Sequence, residues 1–275
     1  MRAFVLLSLF ALVVLSQTTS STEEISSSSL ASETQAINST SVEGQKLFHH
    51  VITFRYKWGV TRAQVDSVTK AYLALNDLAV RDGRKYIRIV GGKTISTEGV
   101  KDRFRNGFIL TFTSADDREH FGCCEKAHQD FGNFMGQYVE SKGYNVGFDF
   151  QEEGNAPWLT RTSNSSRLFH HDITFRYKDN VTQAQIDSVT QAYLSLNDKA
   201  VRNGRKYINI VGGRTISTEG VKDNFRNGFI LTFKKLDDLV HFRCCEKAHQ
   251  QFGDFMGQYV TSTGYNVGFD FEEQF

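Results

Sequence analysis

Residues Phe48–Lys57 read FHHVITFRYK, and 121 positions later residues Phe169–Lys178 read FHHDITFRYK. The stretch alternates. Phe48, His50, Ile52, Phe54 and Tyr56 fall on one side, and His49, Val51, Thr53 and Arg55 on the other, as in a strand with one apolar face. Working outward, Leu47–Glu153 aligns with Leu168–Gln274 without a gap, and 83 of 107 positions are identical. Solenoid units run roughly 20 to 50 residues, so a repeat of this length is a whole domain rather than one turn of an array. A two-fold interface is self-complementary, so two linked copies can satisfy it within one chain. Linkage also raises the effective concentration of each copy for the other.

Within one unit the first strand is followed by Thr61, a good N-cap, and by Val65, Val68, Tyr72, Leu75 and Ala79 at helical spacing. Tyr86–Val90 is a second strand, expected to stop at Gly91-Gly92, with Lys93–Arg103 a polar loop. Phe104, Asn106, Phe108, Leu110 and Phe112 alternate in a third strand. Asp116-Asp117 open a second helix carrying Phe121, Phe131, Phe134, Met135 and Tyr138 and running to about Ser141, with Gly143 ending it. Tyr144, Val146, Phe148 and Phe150 line one face of a fourth strand, opposite Asn145, Gly147 and Asp149. The order β-α-β-β-α-β is the ferredoxin-like plan. The aromatic strand faces are expected under the helices. The polar faces (Thr53, Arg55, Arg105, Thr111, Asn145, Asp149) are expected to meet those of the second copy, making an α+β barrel with helices outside. Arg55, Arg105 and Asp149 are read as paired charges in that interface.

Composition sets bounds. With a net charge of +1 there is no polyanion footprint, and nucleic-acid binding is not expected. Residues 1–20 read as a signal peptide: Arg2, then the apolar run Phe4–Leu15, too short for a comfortable membrane span. No later segment could span a bilayer. Residues 21–46 are a Ser/Thr-rich leader expected to be disordered, 47–153 the first repeat, 154–167 a linker with the only proline, Pro157, and 168–275 the second repeat. Sequons at Asn38, Asn164 and Asn180 suit an exported, extracellular glycoprotein.

The combination of His50-x-Ile52-x-Phe54-x-Tyr56-Lys57, Val60-Thr61-x-Ala63-Gln64, Ser96-x-Glu98, Phe104-x-x-Gly107-Phe108-x-x-Thr111-Phe112 and Ala127-His128-x-x-Phe131-Gly132 resembles the stress-responsive A/B barrel domain, a dimeric α+β barrel. The resemblance covers both repeats. It implies two such domains paired sheet to sheet within one chain.

His50 on the first strand, Tyr72 on the first helix and His128 on the second are expected to converge between sheet and helices, as are His171, Tyr193 and His249 in the second copy. Histidine in an apolar pocket can act as a general base, and tyrosine can donate a hydrogen bond. The resemblance extends the pocket to Phe131 and Gly132, with Phe252 in the second copy. In a plant polyketide cyclase of the family, a histidine at the place of His128 works with a tyrosine hydroxyl. Here Phe121 and Phe242 stand near that place, with no hydroxyl to give. The plain alternative is that His50 and His128 are satisfied core residues. Imidazoles at His49, His50, His120 and His128 have no recurring carboxylate or cysteine at ligand spacing, so no metal is expected. Gly91-Gly92-Lys93-Thr94 lacks the phosphate-loop spacing, and no cofactor is expected. Of the pairs Cys123-Cys124 and Cys244-Cys245, at least one member each is expected to be a buried thiol.

The favoured expectation is a secreted stress-response-type barrel protein without catalysis, binding a small apolar ligand in each repeat. Two alternatives stand beside it. One is a polyketide-cyclase-like or monooxygenase-like enzyme with His128 and His249 in acid–base roles. The other is a structural or interaction protein of an extracellular assembly.

Overall fold

A computed structural model describes residues 46–100, 103–141, 144–153, 167–221, 224–262 and 266–274. The signal peptide, the leader up to residue 45, Asn38, Gly143, Pro157 and Asn164 lie outside them. The first half runs β1 (Phe48–Arg55), α1 (Arg62–Leu73), α2 (Leu75–Leu78), β2 (Val80–Arg81), β3 (Arg84–Lys85), β4 (Ile87–Glu98), β5 (Phe104–Phe112), α3 (Ala115–Cys123), α4 (Lys126–Met135) and β6 (Val146–Gln151). The second half repeats it: β7 (Phe169–Arg176), α5 (Gln183–Leu194), α6 (Leu196–Lys199), β8 (Val201–Arg202), β9 (Arg205–Lys206), β10 (Ile208–Glu219), β11 (Phe225–Phe233), α7 (Leu236–Cys245), α8 (Lys247–Met256) and β12 (Val267–Glu273).

Local chemistry accounts for the starts and breaks. Thr61 and Gln64 form a reciprocal capping box at α1, with Thr61 N donating to Gln64 Oε1 at 2.8 Å, and Thr182 with Gln185 repeats it at α5. Asp82 and Gly83 both have positive φ, the backbone a two-residue hairpin turn between β2 and β3 requires. This hairpin was not foreseen from sequence. The expected single second helix is two helices. Glu125 breaks it by capping α4, its carboxylate accepting from Ala127 N at 3.0 Å. The regular helix ends at Met135, short of Ser141.

The eight long strands close into one barrel in the order β1-β5-β4-β12-β7-β11-β10-β6. Each half contributes a ferredoxin-like sheet, and β4–β12 and β10–β6 join the halves. The fold class is therefore as expected, but two details differ. First, β4 does not stop at Gly91-Gly92. It continues to Glu98, and residues of the expected loop pair with β12 of the other half. The glycines are sites of close approach: a Cβ on Gly92 would lie 1.7 Å from the Glu272 carbonyl oxygen, and one on Gly213 1.9 Å from that of Gln151. The exposed-looking polarity of 93–98 reflects a partner that comes from the other repeat.

Second, the barrel interior is mostly apolar. Val51, Ile109, Phe148, Phe150, Val211, Ile230, Phe269 and Phe271 fill it. Phe148 and Phe150 thus point into the barrel rather than under the helices, and Asp149 takes the helix side. Tyr144, placed with them by alternation, is exposed. Between sheet and helices lies a separate aromatic layer in each half, including Phe54, Tyr72, Phe108, Phe112, Phe121 and Phe131 in the first. Arg55 and Arg105 form no charged interface with Asp149. Arg55 lies over the Tyr144 ring at 5.6 Å, and exposed Arg105 donates to the Val60 carbonyl at 3.1 Å.

Candidate functional site

On the helix side of the first sheet, β1 and β6 pair with His50 opposite Asp149. His50 Nδ1 lies 2.7 Å from Asp149 Oδ1, and the carboxylate is fully buried. Arg118 of α3 reaches the other oxygen, Oδ2, and also donates to Ser217 Oγ at 2.8 Å. Ser217 belongs to β10 of the other half. It stands opposite Asp149 in the β10–β6 ladder and donates to the same carboxylate. The second half builds the same network. His171 Nδ1 lies 2.6 Å from Asp270 Oδ1, Arg243 reaches Asp270 Oδ2 at 2.6 Å and Ser96 Oγ at 2.7 Å, and Ser96 donates to Asp270. Arg243 is also paired with Glu98. Each site therefore takes its His–Asp pair from one half and its serine from the other.

Charge follows from these contacts. Burial works to raise the Asp149 pKa, but the His50 charge and hydrogen bond, with Arg118, hold it below the ordinary carboxylate range. Asp270 is held low against burial in the same way, by His171, Arg243 and Ser96. Burial works to lower the His50 pKa, yet Asp149 and, further off, Glu219 raise it above the usual imidazole value.

Beside each dyad lies the aromatic layer. Tyr72 is buried, its ring 4.6 Å from both Phe108 and Phe131. His128 stacks on Phe121 at 4.2 Å, and its Nδ1 lies 2.9 Å from the Phe121 carbonyl oxygen. In the second half Tyr193 sits 4.6 Å from Phe252 and 6.4 Å from His249. His249 stacks on Phe242 at 4.2 Å. Burial lowers the His249 pKa, the Phe242 carbonyl opposes this, and the nearby His171 lowers it further. The structure thus brings the expected His171, Tyr193 and His249 into one neighbourhood, and sets Phe121 and Phe242 against the helix histidines as stacking partners. Tyr72 and Tyr193 are held protonated by burial.

Sequence reasoning missed Asp149 as the partner of His50, and with it Arg118, Ser217, Arg243 and Ser96. Alternation put Asp149 opposite the aromatics of its strand. The missing step was that those aromatics face the barrel. The two arginines could not be found by aligning the repeats, because position 118 is Leu239 in the second copy and position 243 is Gly122 in the first. His120, weighed as a metal ligand, lies edge-on to Tyr86 at 5.7 Å. Among the described residues no three His, Cys, Asp or Glu side chains form a metal-holding group. Both cysteine pairs are exposed vicinal disulfides, Cys123–Cys124 and Cys244–Cys245, which corrects the expected buried thiols. Each pair sits at the exposed C-terminal end of its helix, α3 or α7, where the two sulfurs bond to each other outside the core. Two surface clefts, of about 1010 and 460 Å³, flank the β8–β9 hairpin and Arg214, and neither is lined by a residue of the two networks.

The fold and these paired sites define an α+β barrel of the dimeric ferredoxin-like class, formed within one chain. A candidate monooxygenase from Fusobacterium nucleatum is similar in structure, with 11% identity, a TM-score of 0.54, and coverage of 82% of this chain and 92% of that one. An anthrone oxidase-like protein is similar with 12% identity, a TM-score of 0.51, and coverage of 85% and 93%. At these identities the likeness is one of fold. No protein-family model and no curated protein sequence matches the chain. No described helix is long and apolar enough to cross a membrane.

Proposed function

We propose that each half binds a small apolar, aromatic ligand between sheet and helices and carries out monooxygenase-like acid–base chemistry on it. The observation that carries this reading is the duplicated His–Asp pair. Asp149 occupies Nδ1 of His50 and stabilises its cation, which leaves Nε2 as the nitrogen to take a proton from an acidic C–H or phenol. Tyr72 is the neighbouring hydroxyl for an oxyanion. His249, held toward its neutral form, is a second base in the other half. The name of one structural neighbour, an anthrone oxidase-like protein, makes an anthrone the first ligand to try. We assign the chain to the stress-responsive A/B barrel kind on the motifs quoted above. We read it as exported on its first 20 residues and on Asn180, a sequon asparagine that is exposed in a positive-φ turn.

A second reading, binding without turnover, is favoured by one specific observation. Every site histidine already has a polar partner within hydrogen-bond distance. One experiment separates the two. Purified protein is mixed with an anthrone under air, and quinone formation is followed beside ligand binding by fluorescence. Turnover that falls about 100-fold or more in a His50→Gln/His171→Gln variant, with binding kept, supports the catalytic reading. Binding with no turnover supports the second. Neither binding nor turnover, across a panel of phenolic polycycles, defeats both.

A further inference from the structure

The two vicinal disulfides take no part in the networks above, yet they occupy equivalent places in both halves. Each lies where the first helix of the pair gives way to the second, and all four cysteines are exposed. None belongs to the hydrophobic layers. The helix end is held by bonds to its backbone that do not use the sulfurs: Cys124 N donates to the His120 carbonyl at 2.8 Å, and the Gln129 side chain donates through Nε2 to the Cys123 carbonyl at 3.3 Å, with Gln250 and Cys244 repeating the latter. Around them the halves have diverged. Arg118, Glu119 and Gly122 stand against Leu239, Val240 and Arg243, while Cys-Cys-Glu-Lys-Ala-His is unchanged.

A stabilising role does not explain this. A disulfide stabilises mainly by closing a loop of the unfolded chain, and the gain shrinks with the loop. Neighbouring residues close the smallest loop there is. Exposed disulfides, in contrast, are the readily reduced ones. We propose that Cys123–Cys124 and Cys244–Cys245 are two independent thiol–disulfide exchange sites whose substrates are small-molecule or protein dithiols. A thiolate of the reductant bonds to one cysteine sulfur. The Cys–Cys S–S bond breaks, and the other sulfur leaves as a thiolate that takes up a proton. The second thiol of the reductant then displaces the first cysteine. Each half gains two electrons and two protons, and the dithiol leaves as its cyclic disulfide. Because the sulfurs support nothing in the core, the barrel stays folded through the exchange.

The test uses the full oxidised chain. It is treated with dithiothreitol under native conditions, quenched with iodoacetamide and weighed intact, with circular dichroism recorded alongside. The expected result is no alkylation before reduction and four carbamidomethyl groups after it, added in pairs, with an unchanged spectrum. In a parallel sample, oxidised glutathione added to the reduced chain after removal of dithiothreitol, in place of iodoacetamide, should restore the starting mass. A Cys123→Ser/Cys124→Ser variant should gain two groups. Alkylation of the untreated protein, resistance to reduction until the chain is denatured, or unfolding on reduction would each overturn the proposal.

Discussion

The two halves solve the same electrostatic problem from different turns of equivalent helices, α3 and α7. In the first half Arg118 neutralises Asp149. In the second the equivalent position is Leu239, buried in the core, and the guanidinium comes from Arg243, where the first half has Gly122. Four residues separate the two positions, about one helical turn, so both point to the same side. The lesson is that a buried carboxylate needs a cation and that its place along the helix is free. The barrel interior teaches the converse. Where β1 carries Val51, β7 carries Asp172, fully buried with neither carboxyl oxygen hydrogen-bonded among the described residues. Burial, and then the charge of Asp270, raises its pKa well above the carboxylate range, so it is kept as the neutral acid.

The largest effect expected from breaking this comparison is at the arginines. Arg243→Leu leaves Asp270 buried with one fewer cation. Denaturant melts should show a loss of about 2–3 kcal/mol, below the fully buried case because the guanidinium is partly exposed. Arg118→Leu should cost a similar amount, and adding Gly122→Arg to it should recover most of the loss by moving the cation to the position used in the second half. A failure to recover would mean that the helix position matters after all. Next comes Gly92→Ala, where the added Cβ meets backbone of the other half. It should cost about 1–3 kcal/mol in the same melts.

Asp172→Val makes the interiors alike. It should raise stability at neutral pH by about 1–3 kcal/mol, the cost of an unsatisfied buried polar group. The sign with pH follows from linkage. A carboxyl whose folded pKa is raised binds protons more tightly in the native state. The part of its penalty linked to ionisation is therefore absent in acid below its unfolded pKa and grows as pH rises toward the folded value, on top of the pH-independent cost of the unsatisfied neutral carboxyl. Melts across pH should show a steeper loss of stability for the natural chain than for the variant. The smallest effect is spectroscopic: by NMR, His50 should titrate above the ordinary imidazole pKa and His249 below it. For His50 the stabilisation is complete below the unfolded imidazole pKa and lost as pH rises through the folded one.

Much of this was legible in the sequence. The ferredoxin-like order, the pairing of halves and the helix–sheet placing of His50, Tyr72 and His128 follow from periodicity and repeat. What stayed hidden depended on contacts between halves. Residues 93–98 read as a loop because each half was read alone, whereas their backbone is satisfied by β12. Asp149 read as an interface charge because alternation yields two faces without saying which one lines the barrel. Arg118 and Arg243 stayed hidden because the repeats carry them in different registers.

The central claim is that the halves close one barrel through β4–β12 and β10–β6, and that this closure brings Ser96 and Ser217 to the buried aspartates. Amide hydrogen exchange over 93–98 and 214–219 tests it most directly. Paired strands predict amides there protected to a degree approaching those of β1 and β7. Exchange at the rate of an open polar loop would contradict the closure, and with it both composite sites.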